Sequence, residues 1–399
     1  MNILIVSFYY APELGAAPSR IANMARGLAA KGNQVEVLTC LPNYPKGRIF
    51  EGYRHRFSKH EQNEDGIRIH RYWTYTTISK NPLKRVLSML SYSLTLWTFS
   101  RHIRRIRRFD LVIVQSPPIM VACSAILLFR KVFRRKVLLN VSDLWPLSAV
   151  ELGAVREGTA YHRILLAMEQ FAYRNAVAVQ GQSQEILKHI GYSVPSKPTF
   201  LYRNLQPTTA ASSLPDAFRR HRPFRIVYAG LLGVAQDLMG IIEQIDFKQL
   251  GAELHLFGGG NQAEQIEAYI SQHDCGVSYH GYLPKDKMVE ELRRYDASIV
   301  PLARQIYGAV PSKIFDLLPV GVPILLCGSG EAASIVKQYG IGMVASPSDI
   351  DMLRQNIVTM AGLSDEDYAD MKRHCLEAAM TVFSFEHQME NYQTFLSKI

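Results

Sequence analysis

The chain has 399 residues, too many for one ordinary domain and enough for two of roughly 200. Hydrophobic residues make up 48% and charged residues 20%, with no low-complexity stretch, which excludes a disordered chain. The net charge of +10 is uneven: residues 1–200 hold 28 Lys and Arg against 12 Asp and Glu, a net +16, and residues 201–399 hold 17 against 23, a net −6. One half is therefore expected to be drawn to an anionic surface and the other not.

Residues 3–8 open the chain as a strand, without the basic region and small-residue cleavage site of a secretory leader. The long turn that follows carries Glu13, Gly15, Ala16 and Arg20, and the spacing predicts a helix over 19–31 stopped by Gly32. Further strands are predicted at 34–39, 67–72, 110–115, 136–141 and 176–180, several of them near-continuous hydrophobic runs of the kind buried on both faces. The fifth of these six strands runs into Ser142-Asp143-Leu144-Trp145-Pro146, which puts an acid at a strand's carboxyl end. Glu13 and Asp143 suit general acid–base work or the orientation of a hydroxyl, and spacing alone equally allows two turn-capping acids.

Residues 205–223, rich in Pro, Ser and Thr, break the alternation and read as a linker. A second strand-first series then follows at 225–229, 253–257, 277–279, 297–300, 323–326 and 343–345, and a last helix spans about 386–398. Strands alternating with helices in both halves imply α/β architecture with parallel sheets, two doubly wound domains in tandem with a ligand cleft between facing carboxyl edges. The five cysteines are scattered, with no C-x-x-C pair, which fits a reducing cytosol. Neither apolar stretch, 86–99 or 111–129, suits a membrane span, so a cytoplasmic, soluble or peripheral protein is expected.

Glycine turns follow the first two strands of the second half, Tyr228-Ala229-Gly230-Leu231-Leu232-Gly233 and Phe257-Gly258-Gly259-Gly260-Asn261, where glycine lets a backbone approach a nucleotide. The segment Val310-Pro311-Ser312-Lys313 with Asp316 sets a helix start, a cation and a carboxylate together, as a diphosphate and a ribose would require. A capped helix with a surface Lys–Asp pair is the bland alternative.

Taken together these elements resemble the family 4 retaining glycosyltransferases of the GT-B fold, over nearly the whole length. Within that family the chain is most similar to bacterial O-antigen and capsule transferases of the N-acetylfucosamine (L-fucosamine) type. The resemblance rests on Pro12-Glu13 with Gly15 and Arg20, Leu41-Pro42-Asn43-Tyr44-Pro45-Lys46-Gly47, Asp143-Leu144-Trp145-Pro146, Tyr228-Ala229-Gly230 with Ala235-Gln236, and Val310-Pro311-Ser312-Lys313. It implies a GT-B molecule of two Rossmann-like doubly wound domains facing an interdomain cleft. Residues 1–204 would take the acceptor and 224–383 the nucleotide sugar, with 384–399 returning to the first domain. Gly15 and Ala16 would lie against the donor diphosphate; Gly230, Gln236, Gly258, Gly259, Ser312 and Lys313 would hold the nucleotide; and the backbone at Leu283 would meet the base. Asp316 stands where the family has the second glutamate of its E-x7-E motif and would bind ribose. The first glutamate of that motif falls on Gly308, and the usual arginine and lysine fall near Leu231 and Gln236, so Lys313 would carry most of the phosphate charge. Asp143 would orient the acceptor or act as base, and Glu13, Arg20, Asn43 and Tyr44 would meet it.

The resemblance further implies a UDP-sugar donor, no metal or other cofactor, and a polyprenyl-diphosphate-linked saccharide acceptor in surface polysaccharide (O-antigen, capsule or lipopolysaccharide) biosynthesis. Residues 86–99, apolar with Trp97 and basic on both sides, suit an anionic membrane surface; a buried helix with a solvated basic end explains the apolar part equally well. Nucleic acid is set aside because no stacking platform, helix-turn-helix or zinc pattern accompanies the basic runs. Two other functions fit the same fold: a nucleotide-sugar 2-epimerase, which needs no acceptor, and a non-catalytic subunit docking a partner at the membrane.

Overall fold

The structure is a computed structural model that describes residues 1–79, 81–207 and 220–399. The described chain divides into two compact units, Met1–Asn204 with Glu386–Ile399, and Leu205–Phe385. Residues 208–219 of the segment read as a linker lie outside the described residues.

The first unit is built on eight strands: β1 (Asn2–Val6), β2 (Gln34–Cys40), β3 (Ser58–Gln62), β4 (Arg68–Tyr72), β5 (Leu111–Ser116), β6 (Lys136–Val141), β7 (Ala178–Gly181) and β8 (Thr199–Leu201). They pair in the order β3-β4-β2-β1-β5-β6-β7-β8, all parallel except β3 against β4. Ile3 to Val6 and Leu111 to Val114 are buried, as strands covered by helices on both faces must be. The two strands without a sequence signal are the edges. β3 reads Ser-Lys-His-Glu-Gln, with no apolar residue to mark it, and β8 has three residues. Polar or short strands are what a sheet edge tolerates.

The first helix, Ala16–Ala30, begins earlier than the predicted residue 19 and takes Pro18 into its first turn. Proline is tolerated there because the N–H it lacks would have no partner in the helix. Gly15, at φ 133°, forms the N-cap, and Gly32, at φ 83°, lies just beyond the helix end. The second apolar stretch resolves into β5 and the helix Ile119–Ile126, and among the described residues no helix is long and apolar enough to cross a membrane.

The second unit holds β9 (Phe224–Leu231), β10 (Ala252–Gly259), β11 (Val277–Tyr279), β12 (Ala297–Pro301), β13 (Ile324–Cys327) and β14 (Gly342–Ala345), all parallel, in the order β11-β10-β9-β12-β13-β14. Its core gathers Ile226, Tyr228, Leu254, Leu256, Ile299 and Leu325 with helix residues such as Ile241, Leu353 and Met360.

The final helix, Phe385–Lys398, packs within the first unit from Glu386 onward. Tyr392 is fully buried, its ring 4.9 Å from that of Tyr202 and 5.1 Å from that of Phe200. Asn33 donates to Gln393 at 2.8 Å, and Gln388 bridges the backbone of Arg203 through its amide. Removing a buried ring leaves a cavity. Tyr392→Ala is expected to destabilise the first unit by about 3–5 kcal/mol, read as an earlier thermal transition.

Candidate active site

Strand order reverses between β1 and β5 in the first unit and between β9 and β12 in the second. In doubly wound sheets the ligand crevice lies at such a reversal, outside the carboxyl ends of the strands. The residues singled out by the sequence lie in or just after the connections that leave the carboxyl ends of these two sheets.

In the second unit β9 and β10 pair so that Gly230 stands opposite Gly258 and Leu231 opposite Gly259. A β-carbon on Gly258, whose φ is 129°, would overlap the carbonyl oxygen of Gly230. Only glycine allows two backbones to converge in this way. Gly258 donates to the carbonyl of Gly281 at 2.8 Å, and the Tyr279 hydroxyl donates to the carbonyl of Gly258 at 2.9 Å. These bonds draw the stretch from His280 to Pro284, with half-buried Leu283, alongside the glycine turn.

Lys313 begins the short helix Lys313–Leu317. Its Nζ donates to the hydroxyl of Tyr228 at 2.6 Å and lies 3.9 Å from the centre of that ring. The Tyr228 hydroxyl in turn donates to the carbonyl of Leu231 at 2.6 Å. A β-carbon on Gly230 would collide with the end of the lysine side chain, so glycine there makes room for the amine. Burial pushes the Lys313 amine down from its ordinary 10.5 to about 7, and the attraction of Asp316 opposes the shift. The helix has only five residues before a 3-10 turn, Leu318–Val320, so few peptide dipoles stack behind it. The positive charge that this helix start offers therefore comes from Lys313 more than from the helix dipole. Ser312 and Asp316, both half-buried, flank it on the same turn, and Gln236 sits in the loop after β9 with its N–H bonded to the carbonyl of Gly233 at 3.1 Å. Gly308 is buried at φ 82°, a backbone region that would strain a glutamate, which gives the departure from the E-x7-E pattern a structural reason.

In the first unit the turn after β1 is held from behind by charge. Glu13 is 4% exposed; its Oε1 accepts from the N–H groups of Asn43 and Tyr44, each at 2.8 Å, and its Oε2 from that of Tyr10 at 3.2 Å. Burial raises the Glu13 carboxyl above the ordinary carboxylate range, while the three N–H groups and Arg71 pull it back. Arg71, buried on β4, donates to Glu61 and to the carbonyl of Ala11. Asn43 is buried too, its amide on the carbonyl of Leu41 at 3.0 Å. Glu13 and Asn43 thus shape the loop, and the exposed Tyr44, whose ring meets that of Tyr9 edge-on at 5.6 Å, is what the loop presents. Gly15 lies against Tyr44: a β-carbon added there would stand 3.5 Å from the tyrosine ring. Ala16 follows as the first residue of the helix.

Arg20 is 6% exposed and donates from Nη1 to Oε1 of Gln182 at 2.8 Å. Burial lowers its guanidinium to about 10, and Asp143 and Tyr202 counter that shift. Asp143 is half-buried; desolvation raises its carboxyl, against bonds from Ser148 and the Leu144 N–H and the charge of Arg20. An arginine and an acid from β1 and β6 connections, 123 positions apart, are thereby electrostatic neighbours. The sequence reading missed Tyr228 as the seat of Lys313 and Gln182 as the partner of Arg20, because both pairings join distant segments.

Comparison with known proteins places this geometry. Residues 15–204 match the family profile described as a glycosyl transferase 4-like domain, and residues 224–362 match that described as glycosyl transferases group 1. The chain belongs to the GT-B glycosyltransferases. A protein of Escherichia coli (strain K12) named as a colanic acid biosynthesis glycosyl transferase, WcaI, is 24% identical over 88% of this chain and 90% of its own length. Among solved structures, sucrose-phosphate synthase from Thermosynechococcus elongatus superposes with a TM-score of 0.72 at 14% identity, covering 100% of this glycosyltransferase and 98% of that chain. Anabaena Alr3699/HepE in complex with UDP reaches 0.70 at 12% identity with both chains covered to 100%. WaaG, a glycosyltransferase involved in lipopolysaccharide biosynthesis, reaches 0.63 at 12% identity, covering 97% of this chain and 98% of its own.

Glu13→Gln replaces an oxygen that faces backbone donors by an amide nitrogen that cannot accept. It is expected to cost about 1–3 kcal/mol of stability, seen as a lowered denaturation midpoint, with the second unit's transition unchanged.

Proposed function

We propose that this enzyme transfers a sugar, with retention of configuration, from a UDP-sugar to a lipid-linked saccharide in surface polysaccharide biosynthesis of the O-antigen or capsule type. The observation that carries the reading is the Lys313 amine resting on Tyr228 beside the register-paired Gly230 and Gly258. The backbone there is bare enough to receive a diphosphate, and the lysine is the charge that would pair with it. The similarly folded Anabaena protein, crystallised with UDP and with UDP-glucose, supports a UDP-linked donor, and the E. coli relative supports a polysaccharide product. An N-acetylated 6-deoxyhexosamine is the donor sugar that the motif resemblance favours.

In this reading Gly230, Gln236, Gly258, Gly259, Ser312 and Lys313 hold the nucleotide, Leu283 borders the base, Asp316 takes the ribose, and Gly15 and Ala16 receive the diphosphate. As the sugar–phosphate bond breaks, negative charge grows on the leaving diphosphate, and Lys313 stabilises it without a metal. Asp143 carries a carboxylate made more basic by burial, suited to orient or deprotonate an acceptor hydroxyl. Tyr44 meets the acceptor, Glu13 and Asn43 fix the loop behind it, and the buried Arg20 holds the Asp143 carboxylate by its charge. The acceptor's lipid would hold the enzyme in the cytoplasm at the inner face of the membrane, against which the basic first unit would sit.

Calorimetric titration with UDP in EDTA tests the donor site. Binding is expected to survive the chelator and to weaken roughly ten- to hundredfold in Lys313→Ala, the worth of one charge-assisted hydrogen bond. Equal affinity in the variant would remove Lys313 from the site, and no nucleotide binding at all would favour a docking subunit.

The resting amine also sets a pH signature. Its folded value near 7 must rise toward the ordinary 10.5 when a diphosphate pairs with it, so binding takes up a proton between those limits. From the lysine alone, UDP affinity is expected to fall as pH rises above 7. Titrations at pH 8 in buffers of different ionisation heat should report proton uptake, and Lys313→Ala should abolish it.

A further inference from the structure

The helix Pro82–Thr95 and the 3-10 turn Leu96–His102 divide their apolar residues between two faces. Tyr92, Leu96 and Phe99 are fully buried, and the Ser124 hydroxyl donates to the carbonyl of Ser93 at 2.6 Å, fastening this face to the helix Ile119–Ile126. The other face carries Leu83, Leu87, Leu90, Leu94 and Trp97 at alternating steps of four and three residues, which keeps them on one side of a helix. They are 76%, 51%, 44%, 73% and 37% exposed, an apolar stripe that the described residues leave open. Trp97 is fixed at its end by donating from Nε1 to the Ser124 hydroxyl at 2.8 Å.

Along the chain the charge on either side of the stripe is almost all of one sign. Asp110 is the only acid between Asp65 and Asp143, a stretch with fifteen lysines and arginines. Lys84 and Arg85 are exposed on the helix itself, and Arg101, Arg104, Arg107 and Arg108 in the segment after it. The approach to the helix also touches the acceptor loop. Gly47, three residues past Tyr44, is packed so closely on Ile78 that a β-carbon there would collide with it, and the Arg85 charge reaches the Tyr9 phenol.

We propose that this stripe inserts into the interfacial layer of an anionic phospholipid bilayer, with the helix lying in the membrane plane and the flanking lysine and arginines on the headgroup phosphates. A leucine stripe ended by an interfacial tryptophan and bordered by cations has the chemistry of such an anchor, and the one-signed charge argues against a neutral protein surface as its occupant. The choice of a bilayer rests on the lipid-linked acceptor proposed above, but docking needs neither donor nor catalysis. Because the leucines enter hydrocarbon, the attachment differs from a purely electrostatic one in resisting salt.

Co-sedimentation with phosphatidylcholine–phosphatidylglycerol vesicles, and with phosphatidylcholine alone, tests this on the full chain. The variant Leu83→Gln/Leu87→Gln/Leu90→Gln/Leu94→Gln changes only exposed side chains, and UDP titration together with a thermal melt monitors its fold. The native chain is expected to bind the anionic vesicles and to keep part of that binding in high salt. The variant should bind at least tenfold more weakly with UDP affinity unchanged. Equal vesicle binding by the variant overturns the anchor. So does native protein that binds no vesicles but forms dimers that the glutamines abolish, which would assign the stripe to a second copy. Vesicle binding lost in the variant while no form binds UDP supports the anchor and overturns the donor reading instead.

Discussion

A parallel strand leaves its sheet at one edge and must cross back over a face before the next can begin, so the connections that leave the carboxyl edge gather side by side. In the second unit that constraint sets Gly230 against Gly258 and brings the segment after β12, with Lys313, to the same edge. In the first it sets the turn after β1 beside the connection after β6, and so Arg20 near Asp143. Neither sheet has to evolve a pocket from nothing; the topology supplies the convergence, and side chains decide what it holds.

The two units use that convergence differently. In the second, backbone is exposed at the edge: glycines remove side chains, and Tyr228 holds the Lys313 amine on its face. A buried amine is costly when charged, and the hydroxyl and ring of Tyr228 offer only partial compensation, which is why burial outweighs the pull of Asp316. In the first, charged side chains are committed to the scaffold. Glu13 accepts from loop N–H groups and Arg71 donates to Glu61 and the carbonyl of Ala11, and loops that would otherwise wander are tied to the sheet. Preorganisation of this kind is what a transferase needs in order to place two reactants.

The sheets were legible in the sequence because strands buried on both faces carry continuous apolar runs, and β1, β5 and β6 do, over Ile3–Val6, Leu111–Val114 and Val137–Leu139. β3 was not, since an edge strand of five polar residues carries no hydrophobic pattern, and β8 is too short to have one. The glycine turns and the Ser312-Lys313 helix start were visible for a similar reason: each needs a particular residue at a particular place along the chain. What sequence could not give were pairings across it. Tyr228 and Lys313 are 85 positions apart, and Glu13 meets Asn43 and Tyr44 across 30 and 31. Spacing made Glu13 look like a rim acid, whereas its partners make it an interior strut. The apolar run over 86–99 was legible as amphipathic matter, but which side chains the core would claim depended on the helix Ile119–Ile126 that it packs against.

The resting state of Lys313 has a chemical corollary. An ε-amine whose proton is held only to about 7 is unprotonated in a sizeable fraction near neutrality, and that fraction keeps its lone pair and is a nucleophile where other lysines are ammonium ions. Acylating reagents would thus single it out from the surface lysines, and a bound diphosphate, by returning the proton, would hide it. Occupancy of the site is in this way written into the reactivity of a single nitrogen.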